Sequence, residues 1–336
     1  MALLEVNDLN VSFLSDGRLL PAVSDVSFSV EDGEILALVG ESGCGKSITC
    51  MSLAKLLPAS ARILSGSVSL RTPSGGTVDV MRLDGHALRK IRGGGIAYIF
   101  QEPSVSLNPV FRVGEQIAEA VELHRPEVAD PWAEAVELLK KVGIPDPVSR
   151  VRLYPHEMSG GMQQRVMIAM AIASHPSLLI ADEPTTALDV TIQAQILDLL
   201  LELRRTLGTS MILVTHNLGI VSETADRVAV MYAGRIVETG KVRDLIDTPA
   251  HPYTRALLAA VPVLGERSGR LSTIPGSVPL PADYPAGCRF CTRCELCRAA
   301  SPEQQRRCRE TVPPAREIAP AHFCACHLAV PGGDPR

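Results

Sequence analysis

The sequence predicts an α/β fold with a mostly parallel sheet, followed by a smaller C-terminal extension. Short apolar runs of strand-like spacing alternate along the chain with segments of helical spacing, an order typical of parallel sheets. Hydrophobic residues make up 46% and charged residues 21% of the 336 residues, which is the balance of a globular core. Beyond about residue 245 the composition changes to frequent prolines and clustered cysteines, which indicates a separate extension.

The individual elements follow from the apolar pattern. Residues 1–40 are predicted to form short strands, interrupted at Asp16-Gly17 and Asp32-Gly33 and completed by an apolar strand over 35–40. Helices are predicted over 46–57, 112–142, 160–174 and 190–206. Further strands are predicted over 178–181 and 211–215, with a closing hairpin over 228–240 around Ala233-Gly234.

Charge and hydropathy exclude several classes of function. A formal net charge of −4 argues against general nucleic-acid binding, which usually relies on a basic stripe. Glu5 and Asp8 occupy positions where a signal peptide needs basic and then apolar residues. No apolar run approaches the roughly 18 residues needed to cross a bilayer. We therefore expect a cytoplasmic chain whose membrane role, if any, comes through partners.

Residues 40–47 match the phosphate-binding pattern G-x-x-x-x-G-K-[ST] between a predicted strand and a predicted helix. In such a loop, backbone N–H groups and the helix N-terminus face phosphate oxygens. Lys46 is expected to contact the β- and γ-phosphates, and Ser47 to supply an oxygen to Mg²⁺. The predicted nucleotide-binding residues of the loop are Gly40, Glu41, Ser42, Gly43, Cys44, Gly45, Lys46 and Ser47.

Two adjacent carboxylates follow the predicted strand over 178–181. Asp182 is expected to hold the Mg²⁺ water shell, and Glu183 to polarise the attacking water. Adjacent carboxylates can also be solvated surface, but together with Lys46 they favour a nucleotide hydrolase.

Residues 158–165, MSGGMQQR, resemble the signature motif of the ABC ATPases, and Ser159 stands 23 residues before Asp182 as in that family. The resemblance implies that Ser159, Gly160 and Gly161 contact the γ-phosphate of ATP held by an opposite subunit. It therefore implies a dimer with two ATP molecules at its interface.

Four further positions match elements of the same family in order. The resemblance implies that Gln101 senses Mg²⁺ and the attacking water, so that the predicted Mg²⁺ contacts are Ser47, Gln101 and Asp182. Asp189, in the run 187–189, corresponds to the D-loop aspartate. His216 corresponds to the switch histidine at the γ-phosphate, and Phe13 to the aromatic that stacks on adenine.

Longer stretches resemble one ABC subfamily, the dipeptide/oligopeptide and nickel importers. They include GESGCGKS, YPHEMSGGMQQRVMIAMAIASHPSLLIADEPTTALDVTIQAQILDLL, HPYTRALLAAVP over 251–262 and IPGSVP over 274–279. One departure is QEPSVSLNP, where the subfamily commonly has Met-Thr before Ser-Leu-Asn-Pro. The resemblance implies a P-loop NTPase fold of the ABC type over residues 1–245, with a RecA-like core, an antiparallel β subdomain and a helical subdomain at about 102–165. Residues 246–336 form the C-terminal extension.

This resemblance implies the ATP-hydrolysing subunit of an importer for di- or oligopeptides, on the cytoplasmic face of the cell membrane. The implied partners are two integral-membrane permease subunits, a second ATP-binding subunit and an extracytoplasmic solute-binding protein. Import of nickel or another small solute is an alternative. A soluble ABC ATPase acting on nucleic acid is a second alternative, but such proteins usually carry two ATPase domains or basic insertions. The intact Lys46, Asp182, Glu183 and His216 oppose a catalytically silent module.

Seven of the nine cysteines lie between residues 288 and 326, and in a reducing compartment such a cluster is more often a metal site than a disulfide framework. The first four, Cys288, Cys291, Cys294 and Cys297, form C-x₂-C-x₂-C-x₂-C, a spacing similar to ferredoxin-type runs. The subfamily resemblance implies a [4Fe–4S] cluster on Cys288, Cys294, Cys308 and Cys326, with Cys291 and Cys297 as alternative ligands. The interval from Cys294 to Cys308 is longer than in the subfamily. Tetrahedral Zn²⁺ is the runner-up, and unmetallated thiols are the third possibility.

Overall fold

The structure, a computed structural model, describes residues 2–72, 75–186, 188–260 and 274–329. The chain forms two compact units. The first comprises Met1–Leu4, Val30–Gly33 and Val68–Val214, and the second comprises Glu5–Ser29, Glu34–Ser67 and Thr215–Arg336. None of the helices in the described ranges has the length and apolar character to cross a bilayer.

The strands, in chain order, are β1 (Ala2–Ser15), β2 (Arg18–Glu31), β3 (Ile35–Val39), β4 (Ala61–Arg71), β5 (Thr77–Asp79), β6 (Ile96–Ile99), β7 (Leu178–Asp182), β8 (Ser210–Thr215), β9 (Arg227–Tyr232), β10 (Arg235–Lys241), β11 (Arg316–Ala319) and β12 (His322–Cys324).

The helices are α1 (Lys46–Leu53), α2 (Gly85–Ile91), α3 (Pro103–Ser106), α4 (Val113–His124), α5 (Pro131–Lys141), α6 (Pro147–Arg150), α7 (Gly160–Ile172), α8 (Val190–Leu207), α9 (Leu218–Thr224), α10 (Val242–Asp247), α11 (Pro252–Ala259), α12 (Glu295–Ala299) and α13 (Pro302–Glu310).

The first unit contains a parallel sheet in the order β6-β7-β8, as the alternating pattern predicts. Ile96 of β6 pairs with Leu178 of β7, which also pairs with Ser210 of β8. Every residue of β7 is buried, because a parallel sheet covered on both faces selects a continuous apolar run. Helices α4, α5 and α7 pack against one another in this unit.

In the second unit, β3 pairs in parallel with β9, and β9 pairs in antiparallel fashion with β10. Ala233 and Gly234 join β9 to β10 with φ angles of 46° and 81°. Two successive positive φ angles suit a two-residue hairpin turn, so the closing hairpin is confirmed. Strand β12 then pairs with β10, and β11 pairs with β12.

The C-terminal extension shares a hydrophobic core with this sheet. Phe290, Cys291, Cys294, Cys297 and Cys308 pack in one cluster with residues of β3, β9 and β10. The rings of Tyr232, Tyr253 and Phe290 lie within 4.6 to 5.4 Å of one another, measured between centroids. The apolar surface that stabilises the extension therefore comes largely from the ATPase-like part of the chain.

A buried carboxylate fixes the start of the extension. Glu238 of β10 accepts hydrogen bonds from the backbone N–H groups of Ala250 and His251, and the imidazole Nε2 of His322 lies 2.7 Å from its Oε1. Burial by itself raises the pKa of Glu238, but these hydrogen bonds lower it below its usual value. The carboxylate therefore stays ionised in the core.

Two predicted helices differ from the structure. The helix expected over 46–57 ends at Leu53, because Lys55 adopts a left-handed conformation and Pro58 follows. The continuous helix expected over 112–142 is two helices, α4 and α5, because Asp130 caps a new helix that starts at Pro131.

Within the described parts of the extension, the elements that were not predicted are α11, α12, α13, β11 and β12, since the apolar periodicity there is weak. Ala187 of the D-loop run and residues 261–262 of the HPYT run lie outside the residues that the structure describes.

Candidate functional site

The phosphate-binding loop lies in the second unit, between the buried strand β3 and helix α1. Gly45 precedes α1 with φ 104°, a conformation that favours glycine. A Cβ on Gly40 would lie 2.2 Å from the carbonyl oxygen of Met231. Both glycines are therefore required by the backbone path, which leads the loop directly into the helix N-terminus.

Lys46 is the first residue of α1 and is 5% exposed. Its Nζ donates hydrogen bonds to the carbonyl oxygens of Gly40, at 2.8 Å, and Glu41, at 3.1 Å. The ammonium is thus held beside the loop by the loop's own backbone. Ser47 follows Lys46 in the first turn of α1.

The two predicted carboxylates lie at the carboxyl end of β7, in the first unit. Asp182 is 3% exposed, and the hydroxyl of Tyr98 donates to its Oδ2 at 2.5 Å. Tyr98 was missed by the sequence analysis, although it faces β7 from the neighbouring strand β6. Because β6 was not among the predicted strands, no sequence signal placed Tyr98 beside Asp182.

Glu183 continues the chain in a left-handed conformation, with φ 46°. Its N–H donates to the carbonyl oxygen of Val214 at 3.0 Å. The carboxylate Oε2 accepts hydrogen bonds from Thr186 Oγ1 at 2.9 Å and from Gln101 Nε2 at 3.3 Å. Two of the predicted catalytic residues, Gln101 and Glu183, are thus brought into direct contact although they are 82 positions apart.

The signature residues stand at a helix start in the same unit. Ser159 caps α7, and its Oγ accepts from the N–H of Met162 at 3.4 Å. Asp189 caps α8 in the same way, accepting from Ile192 N–H at 2.9 Å. A Cβ on Gly161 would lie 3.1 Å from the Ile192 side chain, so the small residue permits close packing of the two helix starts.

The remaining two predicted residues belong to the second unit. His216 directly follows β8 and is exposed, and Phe13 lies near the end of β1 and is half-buried. The predicted residues are therefore divided between the two units.

Cysteines of the extension share one buried cluster, which contains Cys291, Cys294, Cys297 and Cys308 and has Cys288 packed against it. The pKa is raised to about 12 for Cys288 and to about 11 for Cys294, mainly by burial and in smaller part by the nearby Cys326. Burial also raises the pKa of Cys308, to about 12, with Cys297 and Cys326 among the neighbours that add to it. These thiols are therefore protonated at neutral pH.

Within the described ranges, no group of three or more His, Cys, Asp or Glu side chains is arranged to hold a metal ion. The donor set is chemically suited to iron–sulfur or zinc binding, since thiolates are the ligands of both. The sulfur positions as they stand do not form the site.

Comparison with known families and proteins gives consistent matches. A family described as ABC transporter matches residues 23–186. A family described as oligopeptide/dipeptide transporter, C-terminal region, matches residues 237–300. A putative peptide import ATP-binding protein of Brucella ovis is 49% identical over 332 residues, covering 96% of each chain. A probable peptide ABC transporter ATP-binding protein of Sinorhizobium fredii is 49% identical over 96% of this chain and 94% of its own.

Two solved structures resemble the fold. The ATP-binding cassette MJ0796, a dimer in a post-hydrolysis state bound to ADP and phosphate, aligns with a TM-score of 0.63 and 25% identity, over 71% of this chain and 99% of its own. The structure of cbiO1 from Clostridium perfringens, part of the ABC transporter complex cbiONQ, aligns with a TM-score of 0.60 and 29% identity. It covers 74% of this chain and 91% of its own.

Proposed function

The chain belongs to the ATP-binding subunits of ABC transporters for peptide import, and from this premise we propose how its residues divide the work of hydrolysis. Its fold is that of a P-loop ABC ATPase, and its activity is ATP hydrolysis coupled to transport. The observation that carries the proposal is the contact of Gln101 with Glu183 at the end of β7, where the family pattern requires a water-activating carboxylate.

The proposed nucleotide site uses the whole loop over 40–47, with Lys46 at the β- and γ-phosphates and Phe13 against adenine. Mg²⁺ is proposed to be held by Ser47 and Asp182, with Gln101 beside it. Hard oxygen donors of this kind suit Mg²⁺. The hydrogen bond from Tyr98 to Asp182 supports a positioning role, since it fixes one carboxylate oxygen.

The proposed chemical step is attack of water on the γ-phosphorus of ATP, which breaks its bond to the β,γ-bridging oxygen and releases ADP and phosphate. Glu183 accepts a proton or hydrogen bond from this water, and His216 contacts the γ-phosphate. Thr186 and Gln101 both donate to Glu183 Oε2, which supports an oriented carboxylate. In the dimer, Ser159, Gly160, Gly161 and Asp189 are proposed to face the ATP held by a second subunit. The helix starts of α7 and α8 offer the N–H groups for this.

The proposed partners are two integral-membrane permeases, a second ATP-binding subunit, identical or paralogous, and an extracytoplasmic solute-binding protein. The chain is proposed to act at the cytoplasmic face of the membrane. Di- and oligopeptides are the proposed transported class. Support comes from the match of residues 237–300 to a peptide-transporter region and from the printed names of the relatives.

An uptake experiment tests the substrate. The complete complex, with permeases and binding protein, is reconstituted into liposomes. ATP is supplied on the side of the membrane at which this chain lies. Labelled di- and oligopeptides are expected to accumulate in an ATP-dependent manner, whereas Ni²⁺ is not. Accumulation of Ni²⁺ without peptide uptake contradicts the peptide proposal and supports the nickel alternative. The same complex carrying Lys46→Ala is the control for ATP dependence.

We further propose that the cysteine-rich segment binds a [4Fe–4S] cluster through Cys288, Cys294, Cys308 and Cys326. Cys294 and Cys308 are buried in one cluster with Cys288 packed against it, which supports the assignment. Cys291 and Cys297 are alternative ligands. Binding requires the sulfurs to rearrange from their present positions and to lose their protons.

Metal analysis of protein purified without oxygen tests this assignment. We expect about four irons per chain and a broad visible absorption, both lost in Cys326→Ser and retained in Cys324→Ser. Stoichiometric zinc without iron supports the tetrahedral thiolate site instead, and protein without either metal contradicts both.

A further inference from the structure

The second unit contains a direct ionic link between the C-terminal extension and the phosphate-binding loop. The guanidinium of Arg293 donates two hydrogen bonds to the carboxylate of Glu41, from Nη1 to Oε2 at 2.7 Å and from Nη2 to Oε1 at 3.0 Å. Side-chain exposure is 5% for Arg293 and 29% for Glu41. A bidentate ion pair of this geometry is both strong and directional, so it fixes the orientation of the Glu41 side chain.

Arg293 is itself held in place by the extension. Its Nε donates to the carbonyl oxygen of Pro275 at 2.9 Å, and its Nη2 also donates to that of Gly276 at 3.2 Å. The hydroxyl of Tyr232 accepts from Nη1 at 3.3 Å. With its donors directed at fixed acceptors, the guanidinium is a rigid anchor for Glu41.

A second residue of the extension contacts the same loop position. Tyr253 of α11 accepts a hydrogen bond from the backbone N–H of Glu41, at 2.8 Å from its hydroxyl oxygen. Tyr253 is fully buried, with its ring against Tyr232 and Phe290. Glu41 is therefore held at its backbone by α11 and at its side chain by Arg293.

The contacts of Arg293 and Tyr253 with Glu41 also affect the lysine of the loop. The carbonyl oxygens of Gly40 and Glu41 accept hydrogen bonds from Lys46 Nζ. A shift of the Glu41 peptide would move these acceptors and thereby the ammonium. The path from the extension to the phosphate-binding lysine thus runs through one residue.

We propose that Arg293 and Tyr253 are positioning residues for the phosphate-binding loop, so that the C-terminal extension sets the affinity of this subunit for ATP. The proposal rests on the proposed function, in which the loop binds ATP. The contacts of Arg293 and Tyr253 position the loop and involve none of the residues proposed to activate water. They therefore contribute equally to the binding of ATP in the ground state and in the transition state. Their loss raises KM for ATP and leaves kcat nearly unchanged.

The test uses the full-length chain and its complete transporter complex. Arg293→Gln, Glu41→Gln and the double variant are compared for ATP dissociation constant, KM and kcat. Each single variant is expected to weaken ATP binding roughly ten- to hundredfold. The reason is that removing one member of a largely buried ion pair leaves the charge of the other uncompensated. The partial exposure of Glu41 to solvent reduces this effect. The double variant is expected to be no weaker than the worse single variant, since both changes remove one interaction. Arg293→Lys is expected to have part of the affinity that Arg293→Gln loses. Lysine keeps the positive charge but cannot donate the two parallel hydrogen bonds of the guanidinium.

The matched control is Arg227→Gln. Arg227 pairs with the buried Glu34 in the same unit, with Nη1 3.1 Å from Oε1, and its Nη1 also donates to the carbonyl oxygen of Ser29 at 3.3 Å. This variant is expected to lower the melting temperature without changing the affinity for ATP. A loss of affinity in Arg227→Gln equal to that in Arg293→Gln overturns the proposal, because a general loss of stability then explains both.

Two further outcomes separate this inference from the function on which it rests. Unchanged ATP affinity in both Arg293→Gln and Glu41→Gln, with affinity lost in Lys46→Ala, overturns the inference and leaves the loop as the ATP site. Unchanged affinity in Lys46→Ala contradicts the proposed function itself. If Arg293→Gln fails to fold, Glu41→Gln, which leaves the extension intact, decides the matter.

Discussion

Glu183→Gln is expected to lower ATP turnover by roughly a hundred- to ten-thousandfold while leaving ATP binding close to that of the unaltered protein. The substitution keeps the size and shape of a side chain that accepts from Thr186 and Gln101. It removes the anionic oxygen that polarises water. Phosphate release by the assembled complex measures turnover, and equilibrium nucleotide binding measures affinity. Size-exclusion chromatography is expected to reveal an accumulated ATP-bound dimer.

Glu102→Gln is the matched control for this experiment. Glu102 directly follows Gln101 and is exposed, so the same loss of charge near the same loop is expected to leave turnover almost unchanged. Near-normal hydrolysis by Glu183→Gln would exclude Glu183 as the residue that activates water.

Ser159→Arg is expected to reduce hydrolysis to background while each chain still binds ATP through Lys46. The arginine places a long side chain at the start of α7, where the signature residues are proposed to meet the ATP of the second subunit. Closure is driven by preferential binding of ATP to the closed dimer, so a block at this surface shifts the population to open subunits. ATPase assays and analytical ultracentrifugation with ATP measure the two effects.

Ser159→Thr is the control, because it retains a hydroxyl that can cap α7. Loss of the cap alone costs about 1 kcal/mol of stability, which affects the melting temperature and not the interface. Normal hydrolysis by Ser159→Arg, with no unaltered partner ATPase present, would contradict the shared site and indicate a single-chain enzyme.

Several elements of the two units were predictable because their signals are local. A continuous apolar run predicts the buried β3 and β7, and the turn at Ala233-Gly234 predicts the hairpin that the structure contains. The break between α4 and α5 was also visible in principle, since Asp130 followed by Pro131 is a helix start signal. A prediction based on apolar periodicity alone did not reveal this break.

The contacts of Arg293 and Tyr98 could not be predicted in the same way. Arg293 and Glu41 are 252 positions apart, and neither residue belongs to an apolar pattern that would indicate its partner. The helices α12 and α13 span only 5 and 9 residues, and α13 buries only Cys308. Tertiary packing, which periodicity does not report, determines such short elements.

The pairing of β12 with β10 has a consequence for how the chain can be divided. Glu238 and Thr239 of β10 pair with Cys324 and Phe323 near the end of the described chain. A fragment that stops near residue 245 would leave this side of β10 with unpaired backbone N–H and C=O groups. Such an open strand is a template for pairing with another molecule, so the shortened ATPase would tend to assemble into insoluble aggregates. Pairing with β12 therefore protects this side of β10 from pairing with another molecule.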